Sequence, residues 1–402
     1  MGIAVIIIGL ALSIGLHEFG HLIPAKLFGV RVPNWAIGFG PKLFGKKIGE
    51  TEYSFRLIPL GGYITMIGMY PPDTKNKDSK RRFGKLIAAS RDAHSEHMQP
   101  GDAGVRTLYS LPAWKRIIVM FGGPFTNLLL GFIFVAIAAS GLGPMTQTSK
   151  LDSVVACVAK FENQDAVCKP GDETPAVLAG LKAGDEILAI NGVDITLGAQ
   201  VTEQVAKSSG PISIKLLRAG KPVEINVSPV EITLQGETRK IVGVTFVWEH
   251  RPVPLTRSVA GASEILSQTA TGIINFPVAV YSSIATLVQG TERDPNGAVS
   301  IVGVAQIAGQ TDDFFNYLML LGSLNFALFA FNMIPLPPLD GGHIAGGVYE
   351  YLKRGWYRIR GKKLEGYVDT ALMAPVAQIM FIVLLVAGVL MMVTDSINPI
   401  HL

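Results

Sequence analysis

The chain has 402 residues, of which 49% are hydrophobic and 16% charged, with a mean hydropathy of +0.38. That balance excludes an ordinary soluble enzyme and reads as an integral membrane protein. The net charge is only +4 and no arginine-rich tract interleaved with aromatics occurs, so nucleic acid is not an expected partner and the charges speak mainly about topology.

Four segments are apolar enough to cross a hydrocarbon core of about 30 Å, which takes roughly 20 helical residues: 2–24, 117–140, 316–336 and 371–394. The first lacks a basic start and a cleavage site, so it reads as a retained helix (1–30) and not as a signal peptide. It contains His17-Glu18-Phe19-Gly20-His21, and Glu18 is the sole formally charged side chain before Lys26. Carrying a carboxylate and two imidazoles into lipid is costly unless they have work to do. On a helix His17 and His21 share a face and can share one metal, with Glu18 beside them as a general base. Neutral imidazoles suit Zn2+, which needs a third protein ligand and one open position for catalysis.

Residues 31–70 mix short apolar or aromatic runs with Gly breaks and predict a β-hairpin that dips toward the bilayer, tolerated there only inside protein or beside a water-filled cavity. Residues 71–116 predict a polar loop. After the second span (117–140), residues 151–250 alternate apolar and polar positions as a soluble β-rich domain does. Within it, residues 175–192 read as a short helix, a Gly-Asp turn, a strand and an Asn-Gly hairpin turn. Cys157 and Cys168, the two cysteines of the chain, fall here and are expected to pair if this segment is outside the cell. Residues 251–315 predict an amphipathic linker along the outer face, with a fifth crossing as the alternative.

The third span, with its extension, covers 316–345 and ends in Asn332-Met333-Ile334-Pro335-Leu336-Pro337-Pro338-Leu339-Asp340-Gly341-Gly342, where prolines break the helix. Asp340 is the one acidic residue between Asp313 and Glu350 and is the expected third metal ligand, with His343 as its rival. Asn325 and Asn332 share a face of this helix, to bind substrate backbone or a neighbouring helix. A loop over 346–370 and a fourth span over 371–394 complete the chain. Residues 25–116 hold 16 Lys+Arg against 7 Asp+Glu, whereas 141–315 hold 13 against 18. The positive-inside rule then puts 71–116 and 346–370 in the cytoplasm, both termini outside, and His17, His21 and Asp340 toward the cytoplasmic side.

These motifs together resemble the site-2 protease family of intramembrane zinc metalloproteases, in its RseP-like branch. His17, Glu18 and His21 match its HExxH, and Asn332, Pro335, Pro337, Leu339, Asp340 and Gly341 match its NxxPxPxLDG motif. The resemblance implies that His17, His21 and Asp340 ligate Zn2+ and that Glu18 is the catalytic base. Residues 175–192 resemble a PDZ domain of the bacterial protease type, and 38–41 with 59–63, including Gly61 and Gly62, are similar to the family's membrane re-entrant β-hairpin, which implies a role in holding substrate. Gly123-Pro124-Phe125-Thr126-Asn127 resembles its GPxxN element. The domain at 151–250 has room for one PDZ where the best-known RseP enzymes carry two in tandem, so the chain looks closer to the shorter actinobacterial members.

The expected fold is therefore a polytopic α-helical membrane protein with about four spans, an inserted extracytoplasmic PDZ domain of α+β type and a re-entrant hairpin. The expected function is regulated intramembrane proteolysis at a bacterial plasma membrane. By resemblance the substrates are single-span proteins of the anti-sigma-factor type and remnant signal peptides, handed on by an upstream site-1-type protease. The alternatives are a membrane-anchored zinc protease of cytoplasmic-face substrates, a zinc transporter and a PDZ scaffold; a transporter needs polar residues strung across the bilayer, and a scaffold has no use for Glu18.

Overall fold

The computed structural model describes residues 2–73, 78, 81–95, 97–161, 167–169, 171–234, 237–290, 299–362 and 367–399. Two compact units emerge, one from Met1–Gly141 with Pro254–Leu402 and the other from Leu142–Val253.

The first unit opens with α1 (Gly2–Leu27), apolar around its circumference apart from Ser13 and the turn that carries His17, Glu18 and His21. Next come β1 (Asn34–Ile48) and β2 (Thr51–Thr65). They form more than the single hairpin expected. Lys42↔Arg56 to Ile48↔Thr51 pair as a hairpin, while residues 34–37 lie opposite both 52–55 and 62–65. The strands bend back at Gly38 and Gly40 and again at Gly61, whose φ of 117° is open to glycine but not to a side chain. Residues 62–65 are left as an outer edge of this small sheet. The segment predicted as a loop at 71–116 includes α2 (Gly84–Ser95). The second span, α3 (Ala113–Ala136), runs on as a π-helical turn through Leu142. Gly20 of α1 faces Gly122 of α3 so closely that a Cβ on either would strike the other's carbonyl oxygen. Small residues let two helix backbones approach in this way.

The second unit contains β3 (Met145–Val154), α4 (Pro175–Leu178), β4 (Glu186–Ile190), β5 (Val193–Asp194), α5 (Gly198–Lys207), β6 (Ile212–Arg218), β7 (Lys221–Val227), β8 (Val230–Leu234), β9 (Glu237–Ile241) and β10 (Val244–His250). The main sheet runs β10-β3-β4-β6-β7, with β5 on β4 and a separate β8-β9 hairpin. The period of two is plain in β6, where Ile212, Ile214 and Leu216 enter a core with Leu151, Ile187, Ile190 and Val201. Asn191 and Gly192 both take positive φ at the tight β4–β5 turn. Cys157 and Cys168 are joined by a disulfide.

Asp185, beneath this core, receives two bonds from Arg218 at 2.8 and 2.6 Å and one from the Lys182 N–H at 2.9 Å. Burial pushes its pKa up, but Arg218 and the Lys182 amide outweigh burial and hold the carboxyl below its usual range. A depressed carboxylate contributes stability above its unfolded pKa of about 3.9, and that contribution is lost as pH falls through the folded value. Arg218→Ala is expected to cost this unit about 2 kcal/mol at pH 7, between the values for exposed and buried pairs, and to flatten its acid dependence below about pH 4. Thermal unfolding of the detergent-solubilised chain against pH checks this; a variant as acid-sensitive as the parent would refute it.

The chain returns to the first unit with α6 (Leu255–Ile274) and α7 (Phe276–Gln289), which meet at a 72° bend, then α8 (Ile301–Gly309), α9 (Phe314–Asn332), α10 (Asp340–Ile359) and α11 (Ala374–Ile397). Two expectations change here. Two helices within 251–315 are packed on one side: Ala262 of α6 is buried against Val135 and Phe326, and Val304 and Ala308 of α8 against Ile6, Tyr317 and Leu321. Small side chains at these positions let the helices pack among the spans, which an amphipathic reading of composition does not reveal. The second change concerns 346–370, predicted as a loop, most of which belongs to α10. Pro335, Pro337 and Pro338 end α9 at Asn332, and a new helix begins at Asp340. Among the described residues four helices are long and apolar enough to cross a membrane, Gly2–Leu27, Ala113–Leu142, Phe314–Asn332 and Thr370–Ile397, or five if α6 with α7 makes one broken span.

Candidate metal centre

Helical spacing puts His17 and His21 on one face of α1, and the proline turn after α9 swings Asp340 over that face. The three ligand atoms form a nearly equilateral triangle: His17 Nε2 to His21 Nε2 is 3.2 Å, His17 Nε2 to Asp340 Oδ2 3.3 Å, and His21 Nε2 to Asp340 Oδ2 3.4 Å. Ligands about 2.0–2.1 Å from a tetrahedral zinc stand ~3.3 Å apart, so the donor set has the size and chemistry that Zn2+ takes. It is the one His/Cys/Asp/Glu cluster of metal-binding size among the described residues.

Both imidazoles are held from behind by α3. His21 Nδ1–H donates to the Val119 carbonyl at 2.8 Å, and His17 Nδ1–H to Asn127 Oδ1 at 3.2 Å. These bonds fix the tautomer that turns each Nε2 lone pair toward the triangle. Gly123 lies between the two anchors, and a Cβ there would sit 2.7 Å from His17 Nε2 and closer still to His21 Nε2. The Asn127 contact gives the GPxxN element a place beside the site. The Val119 carbonyl leaves no mark in sequence, since any residue supplies one.

Asp340 is in turn held by α10. Glu350 is buried against Arg116 of α3 and takes a 2.8 Å bond from Arg354, and Gly347 packs on Ile117. The triangle opens into a cavity of about 420 Å³ lined by Glu18, Gly61, Gly62, Asn332 and His343 among others. Gly62 borders Glu18 so closely that a Cβ would come 3.3 Å from its Cγ. His343 is in the wall, its ring 6.2 Å from that of Tyr70, and is not a corner of the triangle. Asn325 is elsewhere: fully buried, it donates to Ser13 Oγ at 3.0 Å and to the Leu321 carbonyl at 2.8 Å. Of the two readings for the asparagines, Asn325 takes helix packing and Asn332 the cavity.

Comparison with known proteins agrees with this chemistry. The model of Peptidase family M50 matches residues 5–386. The chain is similar to the zinc metalloprotease Rip1 of Mycobacterium tuberculosis, 27% identical over 425 residues that cover all of this chain and 98% of the relative. It is 28% identical to Rip1 of Mycolicibacterium smegmatis over 431 residues, covering all of this chain and 99% of that protein. It is also similar to the zinc metalloprotease RasP of Geobacillus kaustophilus, at 29% over 369 residues, 82% of this chain and 84% of that one.

Proposed function

We propose how a chain that belongs to Peptidase family M50, and is a zinc metalloprotease of the site-2 type, carries out its cleavage. His17, His21 and Asp340 hold the zinc, and Glu18 is the general base. When bound, Zn2+ supplies a Lewis acid that acidifies a water and polarises a peptide carbonyl. The Glu18 carboxylate would take a proton from the attacking water and deliver it to the leaving amine. Asn127 and the Val119 carbonyl hold the imidazoles in register for this.

A transmembrane helix keeps its carbonyls engaged within itself and must be drawn out before it is cut. The outer edge at residues 62–65 supports such a role, because an extended peptide adds to a free strand edge through main-chain bonds. That edge borders the cavity holding Glu18, and Gly62 leaves room between the added strand and the base. This is the work of a re-entrant hairpin.

In this reading residues 151–250 are a PDZ domain on the outer side, screening a chain end left by an upstream site-1-type protease, and the metal sits toward the cytoplasm. The charge asymmetry of the loops supports that sidedness. Substrates are single-span membrane proteins, anti-sigma factors among them, and remnant signal peptides. The observation that carries the reading is the 3.2–3.4 Å triangle in a cavity lined also by Glu18 and the Gly61-Gly62 edge. Glu18→Gln tests it: cleavage of a tagged single-span substrate is expected to fall about 10²–10⁴-fold with zinc content unchanged. Normal processing by the zinc-loaded variant would overturn the assignment.

A further inference from the structure

The cleavage chemistry leaves one surface of α10 without work. Val348, Tyr349, Leu352, Trp356 and Ile359 recur at helical spacing and form a stripe that is 41–81% exposed, while Gly347 and Glu350 on the opposite face are buried. Basic residues flank the stripe: Lys353 stands 5.4 Å from the Tyr349 ring and Arg360 4.4 Å from the Trp356 ring, with Arg358 and Lys362 nearby in sequence.

The depth of the stripe follows from its neighbours. Glu350 bonds Arg116, in the first turn of α3, so the middle of α10 lies level with the end of a span. Lys115 at the same end stacks over Phe28, just past the last residue of α1, which marks a shared boundary of two spans. The last nine residues of α10 extend about 14 Å beyond Glu350. If they stood away from the membrane, Leu352, Trp356 and Ile359 would be in water. A second copy packed on this stripe would bring Lys353, Arg358 and Arg360 against their own kind.

We propose that the part of α10 beyond Glu350 turns its exposed stripe to the surface of the adjoining leaflet and binds anionic phospholipid. The stripe enters the acyl boundary, and Lys353, Arg358, Arg360 and Lys362 meet headgroup phosphates. Because the same helix begins at Asp340, the charge of the leaflet bears on where that carboxylate stands. This last consequence rests on the proposed metal site; the seating of α10 does not, and it is measured separately.

The test uses the full chain in vesicles of phosphatidylcholine alone or mixed with phosphatidylglycerol. Quenching of Trp356 by bromine-labelled lipid is read as the difference from Trp356→Phe, which removes the signals of the other three tryptophans. Stronger lipid quenching is expected in the mixed vesicles, reversed by raised salt. In a Lys353→Gln, Arg358→Gln, Arg360→Gln variant the leaflet-bound population should fall by about fivefold per charge removed. Equal quenching in the two membranes, or no effect of salt on the wild-type chain, overturns the proposal even where the triple variant fails to fold. Efficient disulfide dimerisation of Leu352→Cys in the mixed vesicles would assign the stripe to a second copy and likewise overturn it. A normal quenching result alongside an inactive or metal-free enzyme would fault the metal-site reading and leave the lipid site standing.

Discussion

Asp340→Asn is expected to strip zinc from the purified protein and abolish cleavage, with the chain still folded. Asparagine keeps the shape and one oxygen of the side chain but removes the negative charge that completes the triangle with His17 and His21. Losing a residue that merely supports a ligand costs about 10–100-fold in metal affinity, and losing a ligand costs more. The fold should survive, because α10 is held by Arg116 and Arg354 on Glu350 and by Gly347 on Ile117, ten and seven residues from Asp340. His343→Asn supplies the contrast. It changes a wall of the cavity and not a corner of the triangle, so metal content should stay full while substrate handling changes. Zinc measured by elemental analysis on both variants decides between the two residues. A full complement in Asp340→Asn with loss in His343→Asn would reverse the assignment.

Much of this architecture could be read from residues because the signals were local. An apolar run of 20 residues has few fates besides a span, and the alternation through Ile212, Ile214 and Leu216 has few besides a half-buried strand. His17 and His21 announce themselves by spacing. Asp340 could be brought to their depth on paper because the basic loops orient the first and third spans alike. The features that escaped depend on contacts distant in sequence. Nothing in residues 31–70 tells that 34–37 will lie between two partner segments. The helices at 255–309 look like surface pieces until Ala262 and Ala308 are seen to be small enough for helices to close over them. Asn325 and Asn332 are alike on a helical wheel, and only the neighbour Ser13 separates their roles. The Val119 carbonyl is backbone, which composition never marks.

Gly123→Ala should damage the enzyme about as severely as loss of a ligand, although it replaces no ligand residue. In an ordinary helix interior, Gly→Ala gains roughly 1 kcal/mol from propensity. Here the new methyl would stand 2.7 Å from His17 Nε2 and closer to His21 Nε2, crowding the two nitrogens that would hold a metal ion. Retreat of α3 could relieve a clash on one side chain, but α3 is pinned to α1 by the close backbone approach at Gly20 and Gly122. Rotation of the imidazoles is blocked by Val119 and Asn127. The variant is therefore expected to be well folded, as thermally stable as the parent metal-free chain, and nearly empty of zinc. Asn127→Ala, which loosens only His17, should be milder, lowering zinc affinity by about 10–100-fold and being rescued by added metal. Zinc titration of the two proteins separates steric exclusion from loss of orientation, since excess metal restores the second and not the first. Full zinc and full activity in Gly123→Ala would mean that α1 and α3 can part at this crossing, and the tight helix pair could no longer be what holds the histidines in place.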